Sequence, residues 1–119
     1  MDANEIKSLK KLFSAVRKLP AFADASLHIR PIKDHGQCLF SSRGYIIRIN
    51  KSLTYSEAVY TLAHELAHIL VDMENKHGAI FGVMEEALRN VLFILTQQLQ
   101  SGIKSNNSTY AASQTNVEN

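Results

Sequence analysis

Residues 63–68 of the chain read Ala-His-Glu-Leu-Ala-His. Two histidines four residues apart lie on the same face of an α-helix, about one turn apart along its axis. His64 and His68 are therefore placed to bind one Zn²⁺ ion, and Glu65 lies where its carboxylate can reach a zinc-bound water. Zinc lowers the pKa of such a water to about 7, and a neighbouring carboxylate can take its proton during attack on a carbonyl. The pattern predicts two metal ligands and a catalytic base.

The helix that carries this motif is predicted to begin after Thr54, because Thr54 and Glu57 have the spacing of a capping box. Apolar residues then lie on nearly every side of it: Ala58, Val59, Leu62, Ala63, Leu66, Ala67, Ile69 and Leu70. A helix of this kind is buried, so polar side chains on it are costly unless they are paired or bind a metal. A chance His-Glu-x-x-His motif has a probability of roughly one in a hundred in such a chain, so the context favours a zinc site.

The sequence before the motif predicts one helix and three short strands. Asp2 and Glu5 form a second capping box, and apolar residues recur at helical spacing up to Leu19. From Ala25 the apolar period changes to two, which is typical of strands. We expect strands at about residues 27–31, 37–40 and 45–50, joined by turns at residues 34–36 and 41–44 into an antiparallel meander.

After the motif, the apolar spacing predicts a third helix from about Ala79 to Gln100, with Gly102 as its stop. Residues 103–119 are rich in Ser, Asn and Thr, and we expect a disordered tail because they hold few apolar side chains. The predicted fold class is α+β, and the His-Glu-x-x-His motif makes the chain resemble the zincins. It is one domain over residues 1–102, with an N-terminal helix, a small three-stranded antiparallel sheet and two helices that hold the metal.

Composition limits the class of protein. A chain of 119 residues is the size of one domain. Its single cysteine, Cys38, excludes a disulfide framework and is expected to be a small buried residue. We expect no signal peptide, because a charged, amphipathic stretch follows directly after residue 4. No apolar run approaches the roughly 18 residues that a membrane span needs. We therefore expect a cytoplasmic or otherwise intracellular protein with no membrane partner.

Charge is unevenly distributed along the chain. Residues 1–51 hold 10 Lys or Arg against 4 Asp or Glu, whereas residues 52–119 hold 3 against 7. A basic half is compatible with contacts to nucleic acid, although a solvated helix face gives the same pattern. This leaves an alternative function, a non-catalytic module that zinc stabilises and that binds nucleic acid or protein.

A catalytic zinc site needs a third protein ligand besides the water. The downstream candidates are His77, Glu85 and Glu86, because a turn after the motif helix can bring each of them back to the metal. Geometry alone leaves the choice open. A glutamate that is not a ligand can orient a ligand histidine instead. His28 and His35 are expected on a surface strand and a turn, away from the metal.

A family resemblance bears on this choice. Residues 61–68 read Thr-Leu-Ala-His-Glu-Leu-Ala-His, and residues 77–81 read His-Gly-Ala-Ile-Phe. With the strand that ends at residue 50, these motifs resemble the SprT-like zinc metalloproteases, the group that includes Spartan. The resemblance covers about residues 44–90 and implies Zn²⁺ bound by His64, His68 and His77, with Glu65 as the catalytic base. It also implies proteolysis inside the cell, including that of DNA-bound proteins.

Two departures from that family are visible. The spacer between His68 and His77 is short and is similar to that of compact, minimal members. The zinc ribbon that often follows the catalytic domain cannot be built from one cysteine. The chain is also similar to the ImmA/IrrE-type metallopeptidases, because Glu86-Ala87 follows the motif. That second resemblance implies Glu86 as the third ligand.

The function predicted from the sequence is zinc-dependent hydrolysis of peptide bonds in protein or peptide substrates. An extended substrate is expected to pair with the exposed edge of the sheet beside residues 45–50. Tyr45, Tyr55 and Tyr60 are candidates for an oxyanion stabiliser by residue type alone.

Overall fold

The computed structural model describes residues 1–71 and 78–107, and the side chains of residues 1–71 and 78–100. The elements in chain order are α1 (Ala3–Val16), a single 3₁₀ turn (Pro20–Phe22), β1 (Ser26–Arg30), β2 (Gly36–Ser41), β3 (Gly44–Asn50), α2 (Tyr55–Leu70) and α3 (Ala79–Asn107). This arrangement confirms the predicted α+β class.

Both predicted capping boxes are present. At α1, Asp2 accepts a hydrogen bond from the Glu5 backbone N–H (2.8 Å), and Glu5 accepts one from the Asp2 N–H (2.9 Å). At α2, Thr54 and Glu57 make the same reciprocal pair, at 3.1 and 2.9 Å. Each box satisfies backbone donors that the helix itself leaves without partners, so local sequence fixes where both helices begin.

The three strands form a mixed sheet in the order β1-β3-β2, so the predicted antiparallel meander is wrong. β2 is antiparallel to β3, but β1 lies on the other side of β3 and is parallel to it. Asn50 explains the order, because its side chain donates to the carbonyls of Ile32 (3.0 Å) and Asp34 (3.1 Å). Its backbone N–H also donates to the His35 carbonyl at 2.8 Å. These bonds hold the segment after β1 across the end of β3. β2 therefore lies on the side of β3 opposite to β1.

The hairpin between β2 and β3 was correctly predicted. Ser41 pairs with Gly44, which leaves Ser42 and Arg43 as a two-residue loop. Gly44 has φ +121°, and a Cβ at this position would collide with the backbone of Asp24. Glycine is therefore required where the loop enters β3.

The core lies between the sheet and the helices, and α2 runs through it. Its largest fully buried side chains come from all three α-helices and from the central strand: Leu9, Leu12 and Val16 of α1, Ile47 and Ile49 of β3, Leu62 and Leu66 of α2, and Leu92 of α3. α2 contacts the sheet, α1 and α3, which confirms that the motif helix is largely surrounded. Cys38 is buried as expected, and burial, aided by the nearby Glu65 charge, raises the pKa of its thiol to about 11.

α3 continues to Asn107, so the predicted end at Gln100 is seven residues too early. Gly102 does not stop it, because glycine in a helix costs only about 1 kcal/mol relative to alanine and ends one only in a left-handed cap conformation. Residues 72–77 and 108–119, which include His77 and most of the expected tail, lie outside the described residues. In the described part of the chain, no helix combines the length and apolar character that crossing a membrane requires.

Candidate functional site

α2 brings the two motif histidines onto one face, as predicted. The centroids of the His64 and His68 rings lie 5.0 Å apart, with the ring planes at 84°. Phe81 of α3 packs against both rings, at 5.0 Å from His64 and 4.7 Å from His68. The apolar ring restricts the orientations of both imidazoles at the interface between the two helices.

Glu85 of α3 holds the first of these histidines. Its Oε2 lies 2.8 Å from Nδ1 of His64, although the two residues are 21 positions apart in the chain. The contact arises because α2 and α3 pack antiparallel, so that the first turns of α3 lie beside the second half of α2. Metal-binding histidines commonly donate one ring nitrogen to a carboxylate and bind the metal through the other. The arrangement suits His64 for binding a metal through Nε2.

Arg89 lies behind Glu85, one turn further along α3. Its Nη2 is 3.6 Å from Oε1 of Glu85 and 3.6 Å from Oε1 of Glu86. The guanidinium carbon lies 5.2 Å from the centroid of the Tyr60 ring on α2. Sequence reasoning missed Arg89, although its spacing of four residues from Glu85 is the usual signal for an ion pair on a helix.

Glu65 is the one charged side chain that is buried in the described part of the chain, with 6% of its surface exposed. β2 covers it closely, because a Cβ built on Gly36 would lie 3.2 Å from Oε2 of Glu65. Burial raises the pKa of Glu65 to about 7, and the neighbouring His64 charge opposes part of that rise. A carboxyl group with such a pKa is well matched to accept and return a proton near neutral pH.

An open cleft gives access to this group. Its volume is about 350 Å³, and it is lined by His35, Gly36, Tyr60, Thr61, His64, Glu65 and Glu85. The start of β2 forms one wall, and α2 and α3 form the others. His35, expected in a turn remote from the site, therefore lies at the cleft. The proximity of Gly36 to α2 could not be anticipated, because it depends on the position of β2 in the sheet.

Other predicted site residues lie elsewhere. The Glu86 side chain is 66% exposed and lines a separate groove of about 470 Å³ between α2 and α3, together with Tyr55 and Phe93. His77 lies outside the described residues. Within residues 1–71 and 78–107, no three His, Cys, Asp or Glu side chains form a group that could hold a metal. The described residues thus bring together two histidines, a carboxylate partner for one of them, and a buried carboxyl group.

Comparisons with known proteins return no match to this chain among family models, curated proteins or solved structures. The resemblances noted in the sequence therefore remain expectations. A function for the site has to follow from the side chains that α2, α3 and β2 bring together.

Proposed function

We propose that the chain is a zinc-dependent metallopeptidase of the SprT-like, zincin-like kind, acting on proteins inside the cell. The observation that carries this proposal is the buried Glu65 at an open cleft, next to a pair of histidines on one helix face. A buried carboxylate lowers the stability of the fold. Its position beside potential metal ligands is typical of a catalytic group. A purely structural zinc site would have no use for such a group.

Two of the three zinc ligands would be His64 and His68, and the third would be His77. The contact between Glu85 and Nδ1 of His64 fits this assignment, because it orients the ring for binding through Nε2. When bound, the zinc would polarise the scissile carbonyl and lower the pKa of the attacking water.

Glu65 would move the protons of the reaction. Its carboxylate takes a proton from the attacking water as the water oxygen bonds to the carbonyl carbon. The same proton then passes to the leaving amine nitrogen as the C–N bond breaks, which returns Glu65 to its starting state. Burial raises the pKa of Glu65, which favours its uptake of the proton.

The edge of the sheet that would receive an extended substrate is β2. The expectation that it lies beside residues 45–50 is wrong, because β3 is the central strand and both of its edges are paired. The His35 carbonyl accepts from Asn50 of β3, so by the alternation of an antiparallel ladder Gly36, Cys38 and Phe40 direct their backbone polar groups outwards. A peptide paired with these groups would run along the cleft past Glu65.

The test is proteolysis of fluorescein-labelled casein by zinc-loaded protein. Glu65→Gln is expected to abolish cleavage while zinc still binds one to one, because the substitution removes the proton acceptor and keeps the shape. Glu86→Gln is the matched control, since it neutralises an exposed carboxylate, and it should cleave like the wild type. Activity that survives in Glu65→Gln would refute the mechanism. A wild type that binds zinc without cleaving would favour the non-catalytic binding module.

The choice of third ligand needs a separate measurement. Zinc stoichiometry is measured for the wild type, His77→Ala and Glu86→Ala. We expect His77→Ala to lose zinc and Glu86→Ala to keep it, because the Glu86 side chain is exposed and lines a different groove from His64. The reverse result would assign Glu86, as the resemblance to ImmA/IrrE-type enzymes implies.

A further inference from the structure

Glu85 has each of its two oxygens directed at a different neighbour. Oε2 lies 2.8 Å from His64 Nδ1, and Oε1 faces Arg89 at 3.6 Å. Oε2 is therefore within hydrogen-bond distance of His64, whereas Oε1 has only a longer charge contact with Arg89. The contribution of Arg89 to the position of the Glu85 carboxylate follows from the contacts of Arg89 itself.

The position of Arg89 is not explained by its hydrogen bonds. Both of its carboxylate partners lie at 3.6 Å, which is longer than a hydrogen bond. Its Nε is buried and has no hydrogen-bond partner among the described residues, which is a cost to the folded state. A side chain retained at such a cost requires an explanation other than its own hydrogen bonds.

The surroundings of Arg89 fix where its charge lies. The guanidinium rests 5.2 Å from the Tyr60 ring centroid, at the distance of a cation–π contact, and Tyr60 also lines the cleft. Its side chain is only 35% exposed, so solvent screens it less than an open surface residue. A positive charge there attracts Oε1 of Glu85, while Oε2 lies 2.8 Å from His64 Nδ1.

We infer that Arg89 is a positioning residue: it keeps Glu85 on His64 Nδ1, so that His64 presents Nε2 to the metal and Glu85 stays out of the coordination shell. The metal-affinity part of this inference rests on the proposed function. The contact that orients His64 does not, because it joins two side chains of the chain itself. Without Arg89, Oε1 is released, and Glu85 is free to rotate away from the ring.

The first test is carried out on metal-free protein. Nitrogen-15 NMR at mildly alkaline pH reports which ring nitrogen of His64 carries the proton. We expect the Nδ1–H form in the wild type, a mixture of tautomers in Arg89→Gln, and recovery of the Nδ1–H form in Arg89→Lys, which keeps the charge. Glu86→Gln is the control, because it removes the other carboxylate beside Arg89 and should leave His64 unchanged. An unchanged His64 tautomer in Arg89→Gln would overturn the inference.

The second test measures zinc affinity by competition with a chelator. Arg89→Gln is expected to bind zinc more weakly, by no more than the roughly 10- to 100-fold that removal of the direct partner in Glu85→Gln should cause. The double variant Glu85→Gln/Arg89→Gln should bind no more weakly than Glu85→Gln alone, because Arg89 acts through Glu85. Additive losses would overturn the inference. So would a loss of affinity matched by an equal loss of thermal stability in the metal-free protein.

The two tests separate this inference from the metallopeptidase proposal. A wild type that binds no zinc would refute the proposed function. The measured tautomer of His64 in Arg89→Gln would still decide the role of Arg89. Zinc binding of equal strength in the wild type and Arg89→Gln, with full cleavage activity in both, would reject the role of Arg89 alone.

Discussion

At the scale of single residues, the burial of the Glu65 carboxyl group costs folding free energy. This group lies under β2, and the groups that face it are His64 on α2, Cys38 on β2 and Glu85 across the cleft. Burial raises its pKa from 4.5 to about 7, so the folded protein favours the neutral form. Because the pKa is higher in the folded than in the unfolded chain, protonation of Glu65 adds to the free energy of unfolding. This contribution is fully present below pH 4.5 and is lost as the pH rises through about 7.

Glu65→Gln should therefore stabilise the metal-free protein in a pH-dependent way. At pH about 8 we expect a higher melting temperature than in the wild type, because the glutamine carries no charge to desolvate. At pH about 4 the two proteins should melt together, since Glu65 is then protonated as well. Circular dichroism melts at both pH values check this, with Glu86→Gln as an exposed control. An equal difference at both pH values would contradict the assigned burial cost.

The residues that sequence predicted and those it missed differ in a physical way. His64, Glu65 and His68 lie on one helix, so their spacing alone places them together. The contact of Glu85 with His64 depends on antiparallel packing of α2 and α3, which the sequence suggested. The sequence did not show whether Glu85 or Glu86 faces inwards. Gly36 required the sheet order, and no local pattern contains that.

At the scale of elements, the close contact of β2 with α2 depends on a glycine, Gly36. A Cβ on Gly36 would lie 2.5 Å from Cγ2 of Thr61, a distance at which one of the two elements must move. We expect Gly36→Ala to lower the free energy of unfolding by about 1–3 kcal/mol, the usual range for overpacking. Urea denaturation measures the change.

The matching second substitution is Thr61→Ser, which removes Cγ2 and keeps the hydroxyl that donates to the Glu57 carbonyl at 2.8 Å. In the double variant Gly36→Ala/Thr61→Ser, most of the lost stability should return, because the colliding methyl group is gone. Simple addition of the two single effects would mean that the strand and the helix do not meet at this point.

The order of the strands depends on contacts that are remote in sequence, which is why the meander was the wrong expectation. The turn residues at 34–36 suggested a hairpin, but Asn50 binds the carbonyls of Ile32 and Asp34 across the end of β3. Asn50→Ala is expected to cost about 1–3 kcal/mol of stability, since two hydrogen bonds to main-chain carbonyls are lost, each worth about 0.5–1.5 kcal/mol. Gln37→Ala is the control, because its contact with Arg48 is long, at 3.5 Å. Equal losses in both variants would contradict this role of Asn50.

At the scale of the whole molecule, the part of the core that α1 builds lies away from the cleft. α1 contributes three fully buried side chains to the core but no residue to the lining of the cleft. Leu12→Ala should therefore lower stability by about 2–5 kcal/mol through the cavity that it leaves. Zinc stoichiometry below the new melting temperature should stay at the wild-type value. Loss of zinc from the still-folded variant would show that the core and the site are coupled.

α3 connects these two regions through one continuous helix. Near its start, Phe81 and Glu85 face the histidines, and further along, Leu92 is fully buried in the core. A helix turns by about 100° per residue, so one residue inserted between Glu85 and Leu92 would turn one contact face away from its partner. Substitutions at outward-facing positions of α3 leave both contacts in place. An insertion or deletion between them does not. Related chains should therefore vary in length before Ala79, and keep the count from Phe81 to Leu92 constant.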